Sequence, residues 1–442
     1  MESFFRLRQN NTDVRTELIA GVTTFFTMVY IVFVNPQILA DAGMDPTSVM
    51  LATCISAALG SILTGLMSNL PFAQAPGMGL NAFFAYTVVL GMGYTWQQGL
   101  AAVFISGVIF FIVAITKLKD IITDGIPMSI KKAIGAGIGL FIALIGLKNA
   151  GLVSMATGKP MFGDFTDPTV LLTIVGLAIT AALMAAKVKG ALFLAIIIIT
   201  IIGIPIGVTQ LPERFTIEGI SLMPTFFQMD FAGLLNIKEG TTFLASMISI
   251  VTIIISFTMV DMFDTIGTLI GTAVKGGFLD KKGRLPNMDK AIMADAIATS
   301  AGAVLGTSTV TTYIESAAGI SEGGKTGLTS VVVGILFIVA IILAPLVGII
   351  PVAATSPVLV IVGVLMMGAI KDIDFDDFEE ALPVFATLLF MPFTYSITNG
   401  IAAGFIFYPI VKMVRGKWNE IHPVMYILAA LFILRFTLLT IA

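Results

Sequence analysis

Three acidic residues stand in or beside strongly apolar sequence, where an ionisable side chain is costly and usually functional. Asp261 and Asp264 are three residues apart in the apolar run 243–273, so a helix would place both on one face. Glu315 directly follows a β-branched stretch of another apolar run. A carboxylate in an apolar setting can hold or release a proton, and when ionised it accepts N–H hydrogen bonds. The three acids are therefore candidates for carrying a proton and for binding a flat heterocycle.

Structural roles are the alternative for these acids. Asp261 or Asp264 could pair with a hydroxyl or cap a helix break at Gly267, and Asp295 could face a partner helix. An intramembrane aspartyl hydrolase is a further alternative. It is disfavoured because such dyads share a proton across a substrate cleft, usually from separate chain segments, whereas Asp261 and Asp264 lie on one helix turn. We therefore expect that the chain is not an enzyme and that Asp261 and Asp264 do not form a hydrolase site.

Two of the apolar segments are poorly suited to a continuous helix. Segment 71–84 contains Pro76, Gly77 and Gly79, and we predict Asn81 as the N-cap of a half-helix that starts after it. Segment 306–319 contains the β-branched run 309–312, which favours extended chain, and helix formers begin at Glu315. Irregular backbone at membrane depth must be buried or line a cavity. We therefore predict that each segment forms a short strand followed by a half-helix, and that the two contribute to a binding site. The alternative is a pair of kinked helices with a structural role only.

The chain that positions these residues is strongly apolar. Its 442 residues are 57% hydrophobic and 12% charged, a balance that a soluble surface cannot carry. Apolar runs of about 20 residues, long enough to cross a bilayer, recur along its length. We therefore predict an all-α polytopic membrane protein. The run 399–414 and its two neighbours form either three crossings, or two crossings and a re-entrant piece that is broken at 394–400. The predicted runs are 18–39, 46–69, 72–92, 97–116, 128–149, 168–186, 190–208, 243–273, 289–306, 308–322, 326–348, 354–370, 378–395, 399–414 and 423–441.

A polar stretch divides the chain into two comparable parts. We predict a first repeat at 1–210, a loop at 211–241 and a second repeat at 242–442. An odd number of crossings in each repeat would invert the second relative to the first. The tetrapeptide FTMV recurs at 26–29 and 257–260, in the first span of each repeat. Inverted repeats place a substrate site near the midplane, at the repeat interface.

Basic residues predict the orientation. Most of the 24 Lys and Arg residues fall on the side of the N-terminus, so we place that side in the cytoplasm. The N-terminal segment is polar up to Glu17 and predicts no cleaved signal peptide. Cys54 and His422 are the sole residues of their types, so neither a disulfide nor a Cys/His zinc site can form. We expect no cofactor and no structural metal.

The motifs that carry these features resemble a known family. The sequence is similar to the adenine–guanine–hypoxanthine (Azg-like) permeases of the nucleobase–ascorbate transporter superfamily over nearly its whole length. The resemblance implies 14 transmembrane segments in seven-plus-seven inverted repeats, core and gate domains, and short broken strands in segments 3 and 10. It also implies that Asp264, Glu315 and Asn81 contact the base. The matching strings lie at 14–25, 28–36, 75–84, 263–271, 306–319 and 392–401.

The resulting functional hypothesis is proton-coupled uptake of a purine base across the inner membrane. Hypoxanthine or guanine is expected, with adenine as a further candidate; sodium coupling and a passive channel remain alternatives. An anion or oxyanion transporter on the same fold is disfavoured because Glu315 would repel an anion unless protonated. Expected partners are a purine, protons, the bilayer and, as a candidate assembly, a second copy, but no nucleic acid. The predicted base-binding residues are Asn81, Ala82, Phe83, Asp264, Thr312, Tyr313 and Glu315; those for proton coupling are Asp261, Asp264 and Glu315.

Overall fold

The computed structural model describes residues 2–116, 118–155, 159–211, 220–236, 242–280 and 284–441. Nine helices in this part of the chain are long and apolar enough to cross a membrane, and three shorter apolar helices accompany them. The predicted all-α polytopic class is therefore confirmed. Of the predicted inter-repeat loop 211–241, residues 212–219 and 237–241 lie outside the described residues.

The first half of the chain, up to residue 211, contains most of the short elements. A 3-10 turn lies at Arg8–Asn10, and the helix after α5 continues as a π-helix over Phe83–Gly91. The helices are α1 (Glu2–Phe5), α2 (Val14–Met28), α3 (Ile31–Ala40), α4 (Pro46–Ser68), α5 (Met78–Ala82), α6 (Trp96–Ile115), α7 (Leu118–Gly125), α8 (Met128–Asn149), α9 (Pro168–Ala185) and α10 (Ala191–Ile206); the strands are β1 (Gln74–Pro76), β2 (Val153–Ser154) and β3 (Met161–Phe162).

The second half also alternates long helices with short turns. Short 3-10 turns lie at Ile341–Leu346, Gly368–Asp372 and Trp418–Glu420. The helices are α11 (Phe231–Leu235), α12 (Phe243–Gly276), α13 (Met288–Leu305), α14 (Ser316–Ser321), α15 (Gly327–Ala340), α16 (Val352–Met367), α17 (Phe378–Phe393), α18 (Ile397–Val414) and α19 (Pro423–Ile441), and the strand is β4 (Val310–Thr312).

Most predicted runs coincide with these helices, and local sequence explains where they begin. Asp45 caps α4 by accepting from the backbone N–H of Ser48 at 2.7 Å, and Thr242 caps α12 in the same way. Of the predicted break at 394–400, residues 394–396 separate α17 from α18, with Tyr395 at a φ of 53°, and 397–400 form the first turn of α18. The last three runs are therefore three separate helices.

The two predicted broken segments meet. β1 and β4 pair antiparallel, with Gln74 opposite Thr312 and Pro76 opposite Val310, and all six residues are buried. The predicted strands in both segments are therefore confirmed. Gly77 packs closely against the partner strand: a Cβ added there would lie 2.4 Å from Thr311 Cγ2, so any larger residue would require Thr311 to shift.

The predicted N-cap role of Asn81 is wrong. Gly77, with extended φ and ψ of −75° and 122°, precedes the helix, and α5 begins at Met78. Asn81 lies inside α5, where the backbone is already helical, so its side chain cannot act as a cap. The half-helix therefore starts two residues after the strand ends, four residues earlier than predicted.

Hydroxyl side chains satisfy the free edges of this two-stranded sheet. On the β1 edge, the Ser61 hydroxyl accepts from Gln74 N–H at 2.9 Å and donates to the Gln74 carbonyl. On the β4 edge, the Thr299 hydroxyl accepts from Val310 N–H at 3.1 Å and lies 2.8 Å from the Val310 carbonyl. Unpaired backbone groups are costly in a membrane, where no water replaces the partner. The hydroxyls therefore make an isolated strand pair tolerable there.

Helices from both halves interleave around the strands. α4 of the first half packs against α13 and α15 of the second, and α6 packs against α13. A second group consists of α8 with α16 and α17, and α9 with α16. The first group carries the strand pair and corresponds to the core implied by the resemblance, and the second corresponds to the gate.

Candidate functional site

Asp264 lies beside β4 and borders open space. The Thr311 hydroxyl donates to Asp264 Oδ2 at 3.5 Å, and the Thr265 hydroxyl lies 2.9 Å from that of Thr311. Although Asp264 is well inside the 34-residue helix α12, its side chain is exposed. One turn further on, a Cβ added at Gly267 would meet nothing within 4 Å. An accessible space therefore adjoins the Asp264 carboxylate.

Glu315 is the second accessible acid. It is half-buried, immediately before α14, and Oε1 accepts a hydrogen bond of 2.6 Å from the Tyr30 hydroxyl. Tyr30 is fully buried at the break between α2 and α3. Sequence reasoning missed this residue, although a tyrosine inside an apolar run was a usable signal because a buried hydroxyl needs a partner.

Asp261 and Asp295, by contrast, are enclosed. The Thr299 hydroxyl lies 3.0 Å from Asp261 Oδ2, so Asp261 faces α13 and β4. Asp295 Oδ2 accepts from the Thr265 hydroxyl at 2.5 Å, and it is also within hydrogen-bond distance of Thr312 and Gln74. Both acids are almost fully buried. Asp295 therefore joins β1, β4 and α12, in keeping with the structural alternative.

The predicted base-binding residues of α5 are deeply buried. Asn81 is 0% exposed, and within the described residues neither its amide oxygen nor its amide nitrogen has a hydrogen-bond partner. Ala82 is buried beside it, and the Phe83 ring packs edge-on against Phe257 with centroids 4.6 Å apart. Phe83 therefore offers no free stacking face here, while the Asn81 amide keeps its full hydrogen-bonding capacity.

The predicted residues of β4 and its end are also engaged. The Thr312 hydroxyl donates to Asp295 at 3.2 Å, and the Tyr313 hydroxyl donates to the Pro76 carbonyl at 2.6 Å. Tyr313 is 6% exposed, so its ring is largely covered. These two residues hold the strands together, and the accessible polar groups are the carboxylates of Asp264 and Glu315.

In the part of the chain that the structure describes, the accessible acids have no basic partner. Within the described residues, no Lys or Arg forms a salt bridge with Asp264 or Glu315. The same residues contain no group of three His, Cys, Asp or Glu side chains that could hold a metal ion. Two unneutralised carboxylates beside an open space can accept N–H donors or a proton.

Comparison with known proteins identifies the family. Residues 15–403 match the profile of Xan_ur_permease, described as "Permease family". The chain belongs to this permease family. Adenine permease AdeQ of Escherichia coli is 43% identical over 439 residues, covering 99% of this chain and 96% of that protein. Guanine/hypoxanthine permease PbuO of Bacillus subtilis is 42% identical over 448 residues, covering 98% and 100%.

Solved structures support the fold of this permease. It matches the transmembrane domain of a cyanobacterium bicarbonate transporter, BicA, with a TM-score of 0.64 and 15% identity, covering 88% of this chain and 97% of that one. At that identity the likeness concerns the fold alone. The family resemblance expected from the motifs is confirmed, and the chain is a multi-pass membrane transport protein.

Proposed function

We propose that this permease takes up purine bases together with protons, with hypoxanthine and guanine as the first candidates and adenine as a further one. The observation that carries the proposal is the pair of accessible, unneutralised carboxylates, Asp264 and Glu315, flanking a buried strand pair. Relatives 42–43% identical over nearly the whole chain are named as permeases for guanine, hypoxanthine and adenine, which supports a purine as the substrate.

Hydrogen-bond chemistry supports a purine at these acids. A purine base carries ring N–H donors on one edge and carbonyl or ring-nitrogen acceptors on others. Ionised carboxylates accept only, so Asp264 and Glu315 would take the N–H edge. The Asn81 amide, which has no partner within the described residues, would serve an acceptor edge once the base approaches α5. An anion is disfavoured because two carboxylates without basic partners would repel it.

Accessibility supports a division of roles among the acids. Asp264 and Glu315 reach open space and would bind the base, and one of them would also carry the proton. Asp261 remains a candidate proton carrier, but the Thr299 hydroxyl and the surrounding helices separate it from that space. Protonation would lower the cost of holding two negative charges in an apolar setting. A protonated acid and the base would therefore load together from outside, and both would be released inside.

The membrane arrangement proposed here follows the basic residues and the repeat. We place the permease in the inner membrane with its N-terminus in the cytoplasm. Residues 1–210 and 242–442 would form the two inverted repeats. The paired strands, one from each repeat, support this division. The exposed face of α12 continues from Asp264 through Gly267 and Ile270 to Val274, so the open space would lead towards the cytoplasm. A homodimer is the candidate assembly, to be tested by the mass of the purified protein.

Uptake of labelled hypoxanthine, measured in a strain that lacks its own purine permeases, tests the proposal. We expect concentrative uptake that a protonophore abolishes and that unlabelled guanine reduces. Asp264→Asn and Glu315→Gln should each abolish uptake at normal expression. Glu322→Gln is the matched control, because the half-buried Glu322 already has a basic partner, the exposed Lys189, unlike Asp264 and Glu315.

Each outcome bears on a different part of the proposal. If uptake persists with a protonophore but requires sodium, the coupling ion is sodium rather than the proton. If hypoxanthine, guanine and adenine are all not taken up, purine bases are excluded as the substrate. Normal uptake by both Asp264→Asn and Glu315→Gln would remove the assigned site. A competition panel of bases on the native protein ranks the substrates.

A further inference from the structure

A cavity of about 630 Å³ lies near the N-terminal end of α12, away from Asp261 and Asp264. Ser246 and Ser249 from the first turns of α12 line it, together with Lys148 at the end of α8 and Arg435 of α19. Ser249 precedes Asp264 by 15 residues, which is roughly 22 Å along a helix that rises 1.5 Å per residue. The cavity is therefore separate from the candidate substrate site.

This cavity is cationic. Lys148 and Arg435 line it, and none of its lining residues is Asp or Glu. Within the described residues, neither cation forms a salt bridge. The Lys148 side chain is exposed, and its ammonium group lies 5.1 Å from the centre of the Tyr395 ring. Two positive charges without a protein counter-charge favour a negatively charged occupant.

Arg435 is the more unusual of the two cations. Its side chain is 4% exposed in a helix that is otherwise apolar. Its Nε has no hydrogen-bond partner within the described residues, and its one direct polar contact there is a long bond of 3.5 Å from Nη1 to Asn399 Oδ1. A buried guanidinium without a partner is costly, because the charge loses its hydration and regains little. The fold thus keeps a buried donor free beside a cavity.

Asp41, which is bonded to a residue that lines the cavity, forms no salt bridge with either cation within the described residues. Asp41 accepts a hydrogen bond of 2.6 Å from the Tyr86 hydroxyl and another of 3.2 Å from Asn149. Tyr86 lines the cavity, whereas Asp41 does not. Asp41 is therefore bound to neutral donors and leaves both cations without a counter-charge.

We propose that this cavity binds a phosphate group. The Arg435 guanidinium can present two parallel N–H donors to oxygens of one anion, Lys148 supplies a mobile point charge, and the Ser249 hydroxyl adds a third donor. Donors from three separate helices match a group with more than two acceptor oxygens. The phosphate comes from one of two sources, free inorganic phosphate or a lipid headgroup, and the experiment separates them.

The test uses the full-length permease in nanodiscs of phosphatidylcholine. Labelled inorganic phosphate should bind saturably, and Arg435→Gln and Lys148→Gln should each weaken binding at least tenfold, since hydrogen bonds to a charged group contribute strongly. Lys371→Gln, at an exposed position outside the cavity, is the matched control and should bind like the native protein. Lys148→Gln changes an exposed side chain, so it remains informative if Arg435→Gln does not fold.

A second arm addresses the lipid source. Nanodiscs that contain phosphatidylglycerol should leave the native permease with a retained anionic lipid, counted by native mass spectrometry after the disc is removed. Lys148→Gln and Arg435→Gln should lose that lipid, and Lys371→Gln should keep it. Binding in either arm that is weakened in the cavity variants that fold, and kept in Lys371→Gln, supports the proposal. Absence of both forms of binding, or binding that neither cavity substitution alters, overturns it.

Discussion

The unpartnered amide of Asn81 leads to a prediction about stability. Asn81 is 0% exposed, and within the described residues neither amide atom has a hydrogen-bond partner. A buried polar group left unpaired costs about 1–3 kcal/mol. Leucine has a similar size and no polar atom, so Asn81→Leu should raise the free energy of unfolding by about 1–3 kcal/mol. If the amide is kept for the base, the same substitution should abolish purine uptake.

Asn35 is a matched control for this substitution. It is also fully buried in an apolar helix, but its amide nitrogen donates to the hydroxyls of Thr53 and Thr307 at 2.8 and 2.9 Å. Asn35→Leu removes both bonds. The Thr53 hydroxyl still donates to the Val49 carbonyl, but the buried Thr307 hydroxyl loses its partner, so the substitution should lower the free energy of unfolding by about 1–3 kcal/mol. The two asparagines should therefore respond with opposite signs.

Reversible unfolding in mixed micelles with sodium dodecyl sulfate measures both variants, and hypoxanthine uptake supplies the functional readout. A loss of stability in Asn81→Leu equal to that in Asn35→Leu would show that water or another group already satisfies the Asn81 amide. Normal uptake by a stabilised Asn81→Leu would show that the amide is not used for the substrate. Either result refutes the reasoning.

Two close contacts between elements give further predictions. Gly65→Ala should lower the free energy of unfolding by about 1–3 kcal/mol, because the added Cβ would lie 2.4 Å from the Gly327 carbonyl oxygen where α4 crosses α15; Gly368→Ala, with nothing within 4 Å, should be neutral in the same unfolding assay. Thr299→Val should cost about 1–3 kcal/mol, because Val310 N–H loses its buried partner, whereas Thr299→Ser should retain most of the stability; a loss in both variants alike would contradict this.

Much of the architecture could be predicted from the sequence, because membrane helices are long, apolar and bounded by polar residues. The strands were predictable for a related reason. Pro76 and Gly77 disfavour a continuous helix, the β-branched run 309–312 favours extended chain, and the two strands directly follow the long helices α4 and α13. The N-cap error at Asn81 came from reading residue type without the strand register, which forces Gly77 into an extended conformation.

The detailed site was less predictable, because its contacts join residues that are far apart in the chain. The bond between Tyr30 and Glu315 spans 285 positions, and no local pattern encodes it. The same limit applies to the two acids of α12, whose shared helix face was predicted from their spacing. Spacing could not show that Asp261 is covered by α13 while Asp264 meets open space, because that depends on how the neighbouring helices pack.

The hydrogen bonds of Asp295 bear on how the substrate site could change its access. Asp295 contacts Gln74 of β1, Thr312 of β4 and Thr265 of α12, so one side chain joins both strands to the helix that carries Asp264. Separating these elements would leave a buried carboxylate and several buried donors unpaired, at a cost of several kcal/mol. The strand pair and Asp264 would therefore move as one body. Alternating access would then require displacement between this body and the group formed by α8, α16 and α17, rather than rearrangement within the site.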